Sequence, residues 1–253
     1  MAPATGRTAQ PNRLIARLPS KDRNRLLARC DDVDLAFGHE LGMPGDRVRH
    51  VYFPTGSYVS LITPSEDATS LEVGLVGTEG MQGISLALGI DVSPLRALVQ
   101  GSGPAYRMTA HAFRAEYAAS PALRRELNRY LYVLMSQLAQ SALCTRFHHI
   151  EARAARWLLM TQDRAHANTF HVTQKFLAWM LGVRRVGVTN AASALQRKKL
   201  IHYVRGHVTV LDRRGLEAAA CPCYQADRSV YDRMLGGGVS YRPAAVAAPR
   251  RIL

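Results

Sequence analysis

A single glycine interrupts the most regular amphipathic stretch of the chain, which reads VTQKFLAWMLGVRRVGVTNAASALQRKKLI from residue 172 to residue 201. Glycine in the interior of a helix costs about 1 kcal/mol relative to alanine, so one unbroken helix is an unfavourable interpretation. Gly182 instead suits the end of a short helix, because glycine readily adopts the positive φ that turns the chain there. The stretch is therefore predicted to form two short helices joined by a tight turn.

The residues on either side of Gly182 agree with this interpretation. Thr173 is a suitable N-cap for the first helix, and the small side chain of Ala178 allows the second helix to cross close above it. The apolar residues recur at helical spacing and should face a common core: Leu177, Leu181, Val183, Val188, Ala191 and Leu195. Two helices crossing at a steep angle form a helix-turn-helix unit.

Polar and basic side chains occupy the start and the exposed side of the second helix. In DNA-binding helix-turn-helix units this end enters the major groove, where arginine pairs with the O6 and N7 atoms of guanine. The next stretch, LIHYVRGHVTVL, predicts a two-stranded hairpin that brings Arg205 and His207 towards the phosphate backbone. The predicted DNA contacts are Thr173, Gln174, Lys175, Arg184, Arg185, Val186, Thr189, Asn190, Arg197, Arg205 and His207.

The positive charge is concentrated in the same part of the chain. Residues 145–215 hold 13 Lys and Arg against 3 Asp and Glu, which is +10 of a total net charge of +14. Such a segment favours a polyanionic partner, either nucleic acid or an anionic membrane face. A basic peripheral-membrane protein, or a non-specific nucleic-acid-binding protein, is the alternative to a sequence-specific regulator. No nucleophile elbow or phosphate-binding loop is present, so the chain is not predicted to be an enzyme.

The region before the basic segment predicts a sheet-rich domain followed by a long helix. Short apolar runs alternate with turn residues between about 46 and 108, and Leu71, Val73 and Leu75 alternate as in a half-buried strand. Ser120 and Pro121 suit the start of a helix that reaches residue 147 without a glycine or a further proline. At 1.5 Å per residue this helix extends about 40 Å, longer than a small barrel can cover. Its apolar seam is therefore predicted to join two chains in a homodimer, with packing on its own barrel as the alternative: Leu127, Leu131, Leu134, Leu138 and Ala142.

The predicted fold class is α+β, with a jelly-roll-like β-barrel, a long dimerisation helix and a C-terminal winged helix-turn-helix. The predicted boundaries are a flexible tail at 1–13, a β-roll sensor domain at 14–120, the helix at 121–147, the DNA-binding domain at 148–215 and a partly flexible extension at 216–253.

The N-terminus lacks the apolar core of a secretory signal and four scattered cysteines do not form a disulfide framework, so a cytoplasmic location is expected. Cys221 and Cys223 make half of a zinc site and are interpreted as structural thiols, so no metal or cofactor is predicted.

The order of these parts resembles the Crp/Fnr family of bacterial transcription regulators. The resemblance is strongest at 172–201 and is also present in YFPTGSYVSL and LEVGLVGTEGMQG. It implies a homodimer on two-fold-related DNA with half-sites about 34 Å apart, and it allows RNA polymerase as a further partner. The catabolite activator pattern has Arg, Glu and Arg where this chain has Arg185, Val186 and Asn190, so a different target sequence is expected.

The resemblance also implies a candidate effector pocket formed by Gln82, Gly83, Arg96, Ala97 and Leu138. In relatives that bind cyclic nucleotides, a glutamate takes the place of Gln82 and an arginine contacts the cyclic phosphate. In an ungapped alignment Arg96 comes one residue after the position of that arginine. In a strand, a shift of one residue places the side chain on the opposite face. Leu138 and Ala139 replace a Thr-Ser pair that contacts adenine. Tight binding of cyclic AMP is therefore not expected, and the effector is unknown. The only cysteine before residue 140 is Cys30, which rules out a four-thiolate iron–sulfur cluster in the N-terminal domain.

Overall fold

The computed structural model describes residues 11–64 and 70–236 of the 253-residue chain. Two short helices open the described part, Arg13–Ala16 (α1) and Ser20–Leu27 (α2). The strands that follow are Asp31–Leu35 (β1), Glu40–Gly42 (β2), His50–Pro54 (β3), Tyr58–Pro64 (β4), Ser70–Val76 (β5), Arg96–Gly101 (β6) and Gly103–Thr109 (β7). A 3₁₀ helix, Ile84–Leu88, lies between β5 and β6.

These strands form two antiparallel sheets that enclose a small apolar interior. One sheet has the order β2-β6-β4-β5 and the other has the order β1-β7-β3. The interior is filled by the buried side chains of Leu35, Val59, Val76, Ala97, Val99 and Ala105. Non-sequential neighbours and all-antiparallel pairing are typical of a jelly roll, so the predicted barrel is confirmed.

Two helices follow the barrel, Ala110–Ala119 (α3) and Pro121–Phe147 (α4). α4 begins and ends at the residues that the sequence predicts. The hydroxyl of Ser120 accepts a hydrogen bond from the Leu123 N–H at 3.0 Å, which confirms it as the N-cap.

The seam predicted along α4 is only partly correct, because its residues face two directions. Leu127 and Leu134 are buried against the same chain, in a core that also contains Leu14, Phe53 and Phe113. The outer face of the helix carries a separate apolar surface. We call it the α4 outer face, and its members are Leu131, Tyr132, Met135, Leu138, Ala142, Leu143 and Phe147.

The C-terminal region has the order helix, strand, two helices and a hairpin. Its elements are Ile150–Ala165 (α5), Thr169–His171 (β8), Gln174–Leu181 (α6), Arg185–Arg197 (α7), Ile201–Val204 (β9) and His207–Val210 (β10). The strands pair in the order β8-β10-β9 beside the helices. This is a winged helix-turn-helix, as predicted. His148 and His149 lie at the ends of α4 and α5, where they serve as the C-cap and the N-cap.

Two further helices, Arg213–Ala219 (α8) and Cys223–Leu235 (α9), return the chain to the N-terminal half. Leu235 of α9 is buried in the same core as the first half of α4, and the Arg17 guanidinium donates to the Leu235 carbonyl at 3.1 Å. The extension predicted to be partly flexible is therefore packed as far as residue 236, and its remainder lies outside the described residues. Residue 12 of the tail predicted at 1–13 is packed, because buried Asn12 donates to the carbonyls of Pro54 and Gly80 at 3.0 and 2.9 Å, and residues 1–10 lie outside the described residues.

The barrel and the C-terminal region share one apolar core. Tyr58, Ile62, Leu75 and Leu98 from the outer face of the barrel pack with residues of α5, α6 and α7. The predicted alternation of buried and exposed residues in β5 is wrong, because the pairing of β5 with β4 shifts register at Val73 and because a helix covers the outer face of the strand. α5 covers this face, so Glu72 is only 9% exposed while Leu71 and Val73 are half-buried. None of the helices within 11–64 and 70–236 combines the length and the hydropathy of a membrane-spanning segment.

Candidate nucleic-acid interface

The turn between α6 and α7 has the geometry that the sequence predicts. Gly182 has φ +60° and ends α6, and the N–H of Val183 donates to the Ala178 carbonyl at 3.0 Å. The hydroxyl of Thr173 accepts from the Phe176 N–H at 3.1 Å and caps the start of α6. A Cβ at position 182 would lie 3.2 Å from Leu71 Cδ1 on the barrel, so the glycine also permits close packing there.

α7 has one buried face and one exposed face. Val188, Ala191 and Leu195 are buried against α5 and α6, while Arg184, Arg185 and Asn190 are exposed. Val186 is also exposed, to 64%. The polar side chains at the start of α7 therefore point outward from the molecule.

The N-terminus of α7 combines two sources of positive potential. Arg184 occupies the N-cap position, and no side chain of the described residues caps the first turn. Free backbone N–H groups and the helix dipole favour an anion at such an end. With Arg185 in the first turn, this end of the helix suits contact with phosphate or with an acceptor-rich base edge.

Several of the predicted contact residues also interact within the protein. The Thr189 hydroxyl lies 2.9 Å from Gln174 Oε1 and 3.1 Å from the Arg185 carbonyl, so these two side chains connect α6 to α7. Lys175 Nζ lies 4.9 Å from the centre of the Trp179 ring, in a cation–π contact on the exposed side of α6. Arg197 is exposed at the far end of α7.

The hairpin of β9 and β10 forms the predicted wing. Arg205 and Gly206 both have positive φ, 48° and 78°, as a two-residue type I′ turn requires. Arg205 and His207 are exposed, and the His207 ring lies 5.0 Å from the ring of His171 on β8. Burial, and to a lesser extent the neighbouring His207, lower the pKa of His171.

The candidate effector residues do not converge on one side of the barrel wall. Ala97 points into the barrel, whereas Arg96 points outward and forms an ion pair with Glu40. This is the face on which an ungapped alignment places Arg96. Gln82 is buried and pairs with Tyr52 through the backbone, and Gly83 turns the chain with φ +88°. Leu138 lies on the α4 outer face and is 44% exposed.

A separate cavity of about 320 Å³ lies outside the barrel, where the end of β5 meets α4, α5 and α9. Glu79 and Arg164, which form a buried ion pair at 2.8 Å, contribute to its wall together with Tyr231 and Asp227. Sequence reasoning missed these residues because they come from three separate segments. Nothing in the sequence of α5 indicates that Arg164 is buried.

Comparison with known proteins agrees with this description. Residues 152–219 match the Crp-like helix-turn-helix domain. No curated protein matches the sequence significantly.

Solved structures of regulators share the fold over most of their length. The c-di-GMP responsive global regulator CLP from Xanthomonas campestris has a TM-score of 0.64 at 17% identity, covering 76% of this chain and 99% of that one. A putative regulator of the Crp/Fnr family from Eubacterium rectale has a TM-score of 0.64 at 15% identity, covering 81% and 96%. FixK2 from Bradyrhizobium japonicum has a TM-score of 0.63 at 13% identity, covering 76% and 98%. Residues 152–219 are thus a Crp-like helix-turn-helix domain, and the chain shares its order of barrel, long helix and winged helix-turn-helix with these solved structures.

Proposed function

We propose that α7 lies in the major groove of DNA and that Arg185 reads a guanine there. The observation that carries this proposal is the outward orientation of Arg184, Arg185 and Asn190 at the start of a helix whose other face is buried. Val186 offers a methyl surface to thymine, and Asn190 suits either adenine or a phosphate. The DNA sequence that this protein binds should therefore differ from the target of the catabolite activator.

The remaining basic residues hold the phosphate backbone and carry no sequence information of their own. Lys175 on α6, Arg197 at the end of α7, and Arg205 with His207 on the wing are all exposed. Thr173 and Gln174 lie at the start of α6 and also face this side. Because Gln174 and Thr189 bond to one another, their main contribution is to fix the angle between α6 and α7.

The active form is a homodimer joined along the α4 outer face. Leu131, Met135, Leu138 and Ala142 follow one another at spacings of four, three and four, which is the repeat of a coiled-coil seam. Met135 is 67% exposed, and a contiguous apolar stripe of this kind is typical of an interaction surface. Two-fold symmetry would place two copies of α7 on half-sites about 34 Å apart.

Cyclic AMP is not the effector of this protein. A cyclic phosphate inside the barrel needs a cation there, and Arg96 lies outside and is neutralised by Glu40. Leu138 contributes no hydrogen bond to a base. Calorimetry should detect no sub-micromolar binding of cyclic AMP, and such binding would refute this part of the proposal.

Selection of binding sites from random DNA, followed by gel shifts at two salt concentrations, tests the function. A regulator should enrich a two-fold-related sequence and lose affinity steeply as salt rises. Equal binding of selected and random DNA, or equal binding to anionic vesicles, would contradict it. A role in transcription implies a cytoplasmic location and allows RNA polymerase as a further partner, and no enzymatic activity is part of the proposal.

A further inference from the structure

Four side chains that can bind a metal meet where α4 ends. Cys144 lies in the last turn of α4 and His148 is the C-cap of that helix, while Cys221 precedes Pro222 and Cys223 is the first residue of α9. Their ligand atoms all lie within 4.8 Å of one another. The Sγ atoms of Cys144 and Cys221 are 3.4 Å apart, and Sγ of Cys223 is 3.3 Å from Nδ1 of His148.

We propose that these residues form a Cys₃His site for one Zn²⁺ ion. A zinc–sulfur bond of about 2.3 Å in a tetrahedral site sets the sulfur–sulfur separation at about 3.8 Å, and the sulfur–nitrogen separation at about 3.5 Å. The sulfur–sulfur separation of 3.4 Å and the sulfur–nitrogen separation of 3.3 Å are slightly shorter than these values, and no pair of ligand atoms is more than 4.8 Å apart. Small rotations of the side chains would therefore bring all four atoms onto one ion.

The surroundings of the cluster suit a closed structural site. The three cysteines are buried and pack against the partly buried Ala152. Three thiolates and one divalent cation leave a single negative charge, which needs a cation nearby. The buried Arg156 interacts electrostatically with Cys144 and Cys221, and its ion pair with Asp227 at 2.5 Å holds it in place.

Two other uses of the same thiols fit the geometry less well. A disulfide between Cys144 and Cys221 would require their sulfur atoms to approach to about 2.0 Å, and it would leave Cys223 and His148 without a role. An iron–sulfur cluster needs its ligands further apart, because several metal and sulfide atoms lie between them. A single tetrahedral ion uses all four ligands at their observed spacing.

The position of the site suggests what the metal would do. It would connect the end of α4, the junction at 148–149 that leads into the DNA-binding domain, and the segment that leads into α9. Cys144 and Cys221 are 77 positions apart in the sequence, so the ion would close a long loop. Zinc should therefore stabilise the folded chain and hold α9 against α4.

Metal analysis of the purified full-length chain tests the proposal. We expect about one zinc ion per chain in the wild type and almost none in the double variant C221S/C223S. The matched control is C30S, because Cys30 is the one cysteine of the chain outside the cluster. H148Q should lose zinc to a chelator faster than the wild type, whereas H149Q should retain it.

A second measurement avoids the risk that the double variant fails to fold. Titration of Co²⁺ into chelator-treated wild-type protein should give the intense visible bands of a tetrahedral thiolate complex, saturating at about one ion per chain. Zn²⁺ should then displace the cobalt and raise the thermal midpoint. The proposal is overturned if the metal content of C221S/C223S equals that of C30S, if cobalt gives only an octahedral spectrum, or if mass spectrometry finds Cys144 joined to Cys221. None of these readouts depends on DNA binding.

Discussion

Replacing Glu72 by glutamine should remove a large part of the pH dependence of stability. The Glu72 carboxyl lies between β5 and α5, where Trp157 Nε1–H donates to Oε1 at 2.9 Å and Ser60 Oγ lies 2.6 Å from Oε2. Ser60 Oγ also contacts the Gln100 side-chain oxygen. With Gln100 in this orientation Ser60 has one proton for two acceptors, and both contacts are satisfied when the Glu72 carboxyl is protonated and donates to Ser60.

Burial raises the pKa of Glu72 to about 7 from its ordinary value of 4.5, against the opposing hydrogen bonds from Ser60 and Trp157 and the charges of Arg164 and Arg156. The folded state therefore binds this proton more tightly than the unfolded state does. Its contribution to the free energy of unfolding is full below pH 4.5, falls as the pH rises to 7 and is constant above that. At about 1.4 kcal/mol for each tenfold change, the total loss is about 3 kcal/mol.

Glutamine keeps the oxygen that accepts from Trp157 and supplies an N–H to Ser60, so E72Q mimics the protonated carboxyl at every pH. Urea unfolding of both proteins between pH 4.5 and 8 measures the difference in their free energies of unfolding. We expect the free energy of unfolding of E72Q, relative to that of the wild type, to rise by about 3 kcal/mol between pH 4.5 and pH 8. This rise does not depend on the difference between the two proteins at pH 4.5. The matched control E40Q changes an exposed carboxylate and should show a much smaller change. A difference between wild type and E72Q that stays constant with pH would refute the reasoning.

Three further predictions concern DNA binding, the turn and the dimer. R185A should lose about 1 to 3 kcal/mol of binding free energy on the selected site and relax the preference at one base. K175A should weaken binding to all sequences about equally. Fluorescence anisotropy on specific and random DNA would measure both effects. G182A should lower the free energy of unfolding by about 1 to 2 kcal/mol in urea, because the new side chain must adopt φ +60° and lies 3.2 Å from Leu71. L138E should convert the dimer to a monomer in analytical ultracentrifugation, because it places a charge in the apolar seam.

Each of these predictions has its own control. Equal effects of R185A and K175A on specific and random DNA would contradict the division between base and phosphate contacts. G38A has a similar positive φ of 79° with no atom within 4 Å of the added Cβ, so it isolates the backbone contribution from the contact with Leu71. L211E changes a leucine away from α4 that is even more exposed than Leu138, 59% against 44%, and should leave the dimer intact. A dimer that survives L138E would place the interface elsewhere.

Features determined by neighbouring residues could be predicted from the sequence, whereas features determined by packing could not. The turn at Gly182, the cap at Ser120 and the hairpin at Arg205 each depend on a few adjacent residues with strong conformational preferences. The outward face of α7 follows from helical periodicity alone.

The errors all involve contacts between distant segments. Leu127 and Leu134 resemble members of a dimer seam until α1, α3 and α9 are known to cover them. Glu72 reads as an exposed strand residue until α5 is placed over it. Cys221 and Cys223 lack a second pair in the sequence, because Cys144 and His148 belong to the end of a helix more than seventy positions away.

The apolar core shared by the barrel and the winged helix-turn-helix has a consequence for the thermal unfolding of the protein. Leu75 and Leu98 of the barrel contact the same cluster as Val188 and Leu195 of α7, so neither half can lose its packing alone without exposing the other. A calorimetric scan should therefore show a single endotherm instead of two. A small molecule that stiffens the barrel would, through the same shared interior, also slow the opening of the half that contacts DNA.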